Sequence, residues 1–307
     1  MRMIQSAVVT GPTGAVGTAL CAHLLEAGIR VYGVVRPDSE RAGSVPSGVE
    51  RVSCDLNDLC RLPKLMEEKH ADAFFHLAWA NTTGAGRNDV DSQLSNVRYA
   101  VDAVRVARTF GCKVFVGAGS QAEYGRFEGK LKADTPAFPE TGYGIAKLCA
   151  GQMTRLECEK LGLDHVWVRI LSVYGPRDSM GSMISGTIMK LLKGEKPALT
   201  PGEQKWDYLY ASDAAAALLL CARRGKNGSV YPLGSGKAKP LKYYVDVLRD
   251  AIDPALPLDY GAIPYGPKQV MHLEADLSAL QTDTDFVPTV SFEQGIKKTI
   301  EWMRDLL

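Results

Sequence analysis

The chain has 307 residues, with 36 Lys+Arg against 35 Asp+Glu and a formal net charge of +1. That near balance excludes a partner held by bulk phosphate attraction, so no nucleic acid is expected. A content of 46% hydrophobic and 23% charged residues excludes collagen-like, disulfide-rich and disordered classes, and the length permits one large domain or two smaller ones.

Residues 7–10 read as a short apolar strand, followed by the Gly-rich segment 11–17. Apolar spacing at Val16, Leu20, Leu24 and Ala27 predicts a helix over 16–27 that stops at Gly28. Further strands are predicted at 31–35, 51–54, 73–77, 113–117 and 166–171. Helices are predicted at 59–69, with Pro63 in its first turn, at 93–110, and at 143–161, ended by Gly162. Near-continuous apolar strands between helices imply an α/β fold: a doubly wound parallel sheet covered on both faces.

After Tyr174-Gly175-Pro176 the alternation stops. Helices are predicted at 183–192 and at 211–224, the latter capped by Ser212 or Asp213. Pro254, Pro257, Pro264 and Pro267 mark a loop-rich stretch before a last helix over 292–306. The composition shift predicts a first domain of residues 1–175 plus 206–225. A smaller C-terminal substrate-binding lobe takes residues 176–205 plus 226–307.

Seven Cys are scattered without a CxxC pair or zinc-ligand spacing, so reduced thiols, no metal and a cytoplasmic location are expected. The N-terminus runs straight into a strand, unlike a signal peptide. The longest uncharged apolar stretch, 214–222, is too short to span a bilayer, so no membrane insertion is expected.

The first chemical signal is the turn Thr10-Gly11-Pro12-Thr13-Gly14-Ala15-Val16-Gly17. Glycines let backbone turn tightly and approach a pyrophosphate, while the following helix N-terminus offers free N–H groups. Between a strand and a helix, this turn favours a dinucleotide site over an ordinary connection. The second is Tyr143-Gly144-Ile145-Ala146-Lys147. Positions i and i+4 share a helix face, so Lys147 is expected to lower the Tyr143 pKa and form a proton relay with it. The third is Gly119-Ser120-Gln121-Ala122-Glu123-Tyr124-Gly125, which follows a strand.

The GxxGxxG spacing, the serine segment and YxxxK, in this order, resemble the extended branch of the short-chain dehydrogenase/reductase superfamily, the NAD-dependent epimerase/dehydratase family. The resemblance runs from about residue 7 to about residue 236. It implies a Rossmann-type fold and a catalytic set of Ser120, Tyr143 and Lys147. It also implies cofactor contacts from Gly11, Thr13, Gly14, Ala15, Val16 and Gly17, and from Asp55 and Leu56 after the third strand. His76-Leu77-Ala78-Trp79-Ala80 resembles the family's HxAA segment, which brings Leu77, Ala78 and Ala80 to the cofactor. Asn96 matches the Asn of the next helix, and Val173 lies in a stretch resembling R-x-x-x-V-Y-G-P. In the segment resembling R-D-Y-x-Y-V-x-D, Trp206 stands where Arg is frequent, which removes that Arg's nucleotide contact. Many relatives dimerise through the helices matching 93–110 and 143–161, so a homodimer is expected.

The predicted second strand ends at Arg36, where NAD-preferring proteins place an acid for the ribose 2′-OH. A guanidinium attracts a 2′-phosphate, and Ser39 and Arg41 stand close enough in sequence to add contacts. NADP(H) is therefore favoured, with NAD(H) as the alternative if Arg36 only covers adenine and Asp38 takes the ribose. Family dehydratases carry an Asp-Glu pair after the active-site Thr or Ser. Here those positions are Gln121 and Ala122, expected to face substrate, and Glu123 comes one place late, which argues against water elimination. The resemblance therefore implies an oxidoreductase acting on a nucleotide-linked sugar, foremost an NADPH-dependent reductase of a 4-keto-6-deoxy sugar nucleotide. A looser resemblance is to CDP-abequose-synthase-like ketoreductases. The alternatives are an NAD-dependent 4-epimerase, a reductase of a non-sugar carbonyl compound and a non-catalytic dinucleotide sensor. Arg177, Lys193 and Lys205, with Lys196, are the candidates for the substrate's pyrophosphate.

Overall fold

A computed structural model describes residues 1–307. Its first half runs β1 (Ser6–Thr10), α1 (Ala15–Glu26), β2 (Arg30–Val35), β3 (Glu50–Ser53), α2 (Leu62–Leu65), β4 (Ala73–His76), α3 (Val90–Thr109), β5 (Val114–Ser120), α4 (Gly142–Leu161) and β6 (Asp164–Ile170). Then come β7 (Ser172–Tyr174), α5 (Met183–Leu192), β8 (Ala198–Leu199), β9 (Lys205–Trp206), β10 (Tyr208–Tyr210) and α6 (Ala211–Arg224). The chain closes with β11 (Ser229–Leu233), β12 (Lys239–Pro240), α7 (Leu241–Ile252), β13 (Asp259–Tyr260), α8 (Ser278–Thr284) and α9 (Phe292–Arg304).

Seven strands form one parallel sheet in the order β11-β6-β5-β4-β1-β2-β3. The period-2 alternation of a strand sends neighbouring residues to opposite faces, and both faces are covered. Val9, Phe75 and Val116 pack with Leu20 and Leu24 of α1 and Ala214 and Leu218 of α6. Val8, Phe74 and Phe115 pack on the other side with Ala103, Val104 and Ala107 of α3 and Cys158 of α4. A separate core in the C-terminal part joins Ile184 and Ile188 of α5, Tyr244 and Leu248 of α7, and Ile296, Ile300 and Met303 of α9. No helix is long and apolar enough to cross a membrane.

Three differences from the sequence reading have local causes. The helix predicted over 59–69 is a 3-10 turn at 56–61 followed by α2, one turn long with Pro63 near its start. Leu59, Leu62 and Met66 are buried there while Lys64, Glu67, Glu68 and Lys69 are exposed, and Met66 turns to extended backbone at φ −93°, ψ 139°, which ends the helix after one turn. α7 precedes the proline-marked stretch and was not predicted, yet it buries Leu241, Tyr244, Val245 and Leu248, an i, i+3, i+4, i+7 pattern. The strand Ser229–Leu233, assigned above to the lobe, pairs with β6 in the central sheet. In addition, neither Ser212 nor Asp213 caps α6. The Asp213 carboxylate instead accepts hydrogen bonds from the backbone N–H groups of Thr289 and Val290.

Candidate active site

β1 ends at Thr10, and the chain must reverse into α1 within four residues. Gly11 does so at φ +71°, and a Cβ there would lie 2.8 Å from the Ala78 backbone nitrogen. A Cβ on Gly17 would lie 2.0 Å from the Gly11 carbonyl oxygen. Turn, helix and the segment after β4 thus close to distances only glycine permits. Gly14, at the α1 N-terminus, supplies no side-chain cap, so the first-turn N–H groups remain available to an anion.

Beside this turn lies a cleft of about 440 Å³. Gly11, Pro12, Thr13 and Gly14 form its floor. Val34, Val35, Arg36, Ser39 and Arg41 come from the end of β2, Cys54 and Leu56 from the end of β3, and Leu77 to Thr82 from the loop after β4. Neither Asp38 nor Glu40 lines it. These residues fit a dinucleotide: a glycine cradle with no room for a Cβ, an uncapped helix N-terminus, and two guanidinium groups at the far end.

The structure brings Gly11, Thr13, Gly14, Arg36, Leu56, Leu77, Ala78 and Ala80 to this cleft and leaves other expected contacts outside it. Ala15, Val16 and Gly17 form the first turn of α1 and do not line it. The Asp55 carboxylate accepts from the Asn57 backbone N–H at 2.9 Å, capping the 3-10 turn. The buried Asn96 side chain accepts from the Ala80 N–H at 2.9 Å and donates to the Ala80 carbonyl at 3.0 Å. It therefore fixes the cleft wall from behind. Val173 sits in β7, paired with Leu209.

Ser120 is the last residue of β5, and Tyr143 and Lys147 occupy successive turns of α4. The N-terminus of α4 presses on the segment after β5, because a Cβ on Gly144 would lie 2.3 Å from the Ala122 carbonyl oxygen. That close approach sets Tyr143 beside Ser120. Thr141 caps the helix by accepting from the Gly144 N–H at 3.1 Å, and Asn88 accepts from the Gly142 N–H at 2.9 Å. Lys147 is buried. Its Nζ donates to the Ala118 carbonyl at 2.6 Å and lies 3.8 Å from the Trp79 ring centroid. Burial lowers its pKa from 10.5 to about 7, against the favourable charge of Glu123.

The expectation that Lys147 depresses the Tyr143 pKa is corrected. Burial holds the phenol above its ordinary 10.0, and the opposing influences are the Ser120 hydroxyl and the Arg87 charge. The Lys147 Nζ lies 5.9 Å from the Tyr143 ring centroid, whereas the Arg87 guanidinium carbon lies at 4.4 Å. Sequence reasoning missed Arg87 because it sits in a 3-10 turn, Gly84–Asn88, too short to show a period. Trp79 was quoted only as part of a motif. Its ring meets Tyr143 edge-on at 6.1 Å, and its Nε1 donates to Gln93 at 2.9 Å.

Glu123 is wholly buried and committed elsewhere. Its carboxylate accepts from the Ser120 N–H at 2.7 Å, from Trp167 Nε1 at 3.0 Å and from Arg169 Nε at 2.7 Å. Of the residues after Ser120, Gln121 is half-buried and Ala122 is buried. The pyrophosphate candidates are scattered. Arg177 adopts φ +67°, offers its carbonyl to Arg41 at 2.9 Å and lines a separate cavity of about 480 Å³. Lys193 and Lys205 are exposed and line neither that cavity nor the cleft. Lys196 pairs with Asp259 at 2.9 Å. Trp206, in the place of the frequent Arg, donates from Nε1 to Ser172 Oγ at 2.8 Å.

Comparison with known proteins places this geometry. The chain is 25% identical over 304 residues to CDP-abequose synthase of Salmonella muenchen, covering 95% of this chain and 96% of that protein. It is 29% identical over 248 residues to dTDP-6-deoxy-L-talose 4-dehydrogenase (NAD(+)) of Aggregatibacter actinomycetemcomitans, covering 78% and 87%. Among solved structures, UDP-N-acetylglucosamine 4-epimerase from Methanobrevibacter ruminantium M1, in complex with UDP-N-acetylmuramic acid, superposes with a TM-score of 0.89. Coverage is 100% of both chains at 23% identity. Residues 7–234 match one family throughout, a span that takes in the glycine turn, Ser120, Tyr143, Lys147 and all seven strands of the sheet. The chain belongs to the NAD dependent epimerase/dehydratase family.

Proposed function

We propose that the chain reduces a 4-keto-6-deoxy sugar nucleotide with NADPH. The observation that carries this reading is the placement of Ser120, Tyr143 and Lys147 near a dinucleotide cleft whose far end presents Arg36 and Arg41 and no carboxylate. A 2′-phosphate is attracted by guanidinium groups and repelled by the acid that an NAD site uses. A bound nicotinamide supplies the hydride. Ser120 would hold the carbonyl oxygen, and Tyr143 would give that oxygen its hydroxyl proton as the carbonyl carbon accepts the hydride. Lys147, with its pKa lowered to about 7, would return a proton to the phenolate at physiological pH.

The engagement of Glu123 with Trp167 and Arg169 supports a reaction without water elimination. The names of the two relatives, a CDP-sugar synthase and a dTDP-sugar 4-dehydrogenase, support redox chemistry on a nucleotide-linked sugar. A second reading, 4-epimerisation, is supported by neighbours such as the UDP-glucose 4-epimerase of Thermotoga maritima. The test is a panel of CDP-, UDP- and dTDP-linked 4-keto sugars with NADPH, followed by loss of absorbance at 340 nm. Stoichiometric oxidation with one class is expected. Interconversion of C4 epimers with no net cofactor consumption, and no turnover of any keto sugar, would replace the reductase by the epimerase.

A further inference from the structure

We propose that Arg87 is a second cation for Tyr143, a positioning residue that favours the phenolate through the ring face. This deepens the reading above, in which Tyr143 is the proton donor. The guanidinium carbon stands 4.4 Å from the ring centroid, within cation–π range. A phenolate spreads negative charge into its ring, so a cation over that face stabilises the ionised form more than the neutral one.

The placement of Arg87 is built. Its Nη1 donates to the Thr82 carbonyl at 3.1 Å, and no carboxylate pairs with it. Gln93, buried on α3, donates from Nε2 to the carbonyls of Asn81 and Gly86, each at 3.0 Å, and accepts from Trp79. Asn88, the next residue in the chain, anchors the start of α4 through Gly142. One buried amide thus ties the loop carrying Arg87 to the aromatic ring at the other contact of Tyr143. The same loop lines the dinucleotide cleft through Asn81 and Thr82.

The other charged groups around the phenol come from two elements. Glu123, after β5, opposes ionisation, and Lys147, on α4, is drawn to Ala118 and Trp79. His76, behind Lys147, is neutral at physiological pH, its pKa lowered to about 3 by burial. Arg87 is the cation placed on the ring itself.

The test needs no substrate, so its failure is separable from failure of the reductase reading. Stopped-flow pH jumps read tyrosinate absorbance at 295 nm before unfolding. Subtracting the Tyr143→Phe variant isolates this phenol among 12 tyrosines. Arg87→Gln is expected to raise the Tyr143 pKa by roughly half a unit to one unit, a threefold to tenfold loss of phenolate at fixed pH. Arg87→Lys is expected to keep part of the effect. Dinucleotide affinity, read by tryptophan fluorescence, reports that the loop is intact. An unchanged Tyr143 pKa in Arg87→Gln would overturn the proposal, whether dinucleotide affinity is retained or lost.

Discussion

Arg36 and Lys147 both carry positive charge, and their surroundings give them opposite uses. Arg36 is exposed at the end of β2 and can meet a phosphate without first losing its water. Hydrogen bonds to charged groups contribute about 1.5–3 kcal/mol, so Arg36→Glu is expected to weaken NADPH by roughly tenfold or more while NADH changes far less. Equal weakening of both, measured by titration of each dinucleotide, would remove the argument for NADP(H). Lys147 is buried, and its pKa falls from 10.5 to about 7. Between those values the unfolded chain binds a proton that the folded chain does not, so stability rises with pH across that window. Lys147→Met is therefore expected to melt higher than the parent below pH 7, by more than about 2 °C, and to lose that advantage as pH rises towards 10.5. An advantage independent of pH would refute the buried charge as its cause. The placement of the glycine turn and of the Tyr143–Lys147 pair was legible in sequence because spacing encodes neighbourhood: glycines three apart in a turn, Tyr and Lys four apart on a helix. Arg87 was not, since a 3-10 turn of five residues is too short for a period to announce what a side chain covers. Asn96 was matched only by its place in α3, which says nothing of both its amide groups being spent on Ala80.

The short turn Gln121–Glu123 is held to β6 by charge. Glu123 and Arg169 are both buried and meet at 2.7 Å, with Trp167 completing the carboxylate's partners. Removing one member of a buried pair costs about 3–5 kcal/mol, because the other charge is left unpaired in a dry site. Arg169→Met is expected to lose stability of that order in urea unfolding, and adding Glu123→Gln is expected to recover much of it. A loss below about 1 kcal/mol in the single variant would mean that water reaches the carboxylate. Ser120 caps the same turn and donates its backbone N–H to Glu123, so the pair also holds the candidate catalytic serine in place. Elements of this kind differ in how far sequence foretells them. β1, β2, β4, α1, α4 and α5 were read within a few residues, because each repeats its apolar pattern over enough turns or strand positions. β11 was placed in the wrong lobe because its partner, β6, lies some sixty positions earlier, at Val166 to Ile170, and a strand does not name its neighbour. α7 was left unassigned between short apolar pieces, although its own pattern was regular.

At the scale of the molecule, two neighbouring helices expose apolar side chains. α4 exposes Ile145, Met153 and Leu156, spaced along one face, and α3, packed beside it, exposes Val90 and Leu94. The two helices are joined by Arg105 and Glu157 at 2.8 Å, so both sets of exposed apolar residues belong to one helix pair. A patch on two adjacent helices is self-complementary under a two-fold axis, which would bring the two helices of each copy together as four. With a net charge of only +1, little long-range repulsion opposes the approach of a second copy. The occupant is therefore expected to be a second copy of this chain, in an interface of roughly 1,200–2,000 Å² total. Light scattering of the purified chain should give twice the mass of one chain. Met153→Glu with Leu94→Glu would bury unpaired charge at such a contact and should yield a monomer that still binds dinucleotide, since neither residue lines the cleft. A parent chain that is monomeric at tens of micromolar would leave the patch without this occupant. A double variant that remains dimeric would move the interface to another face.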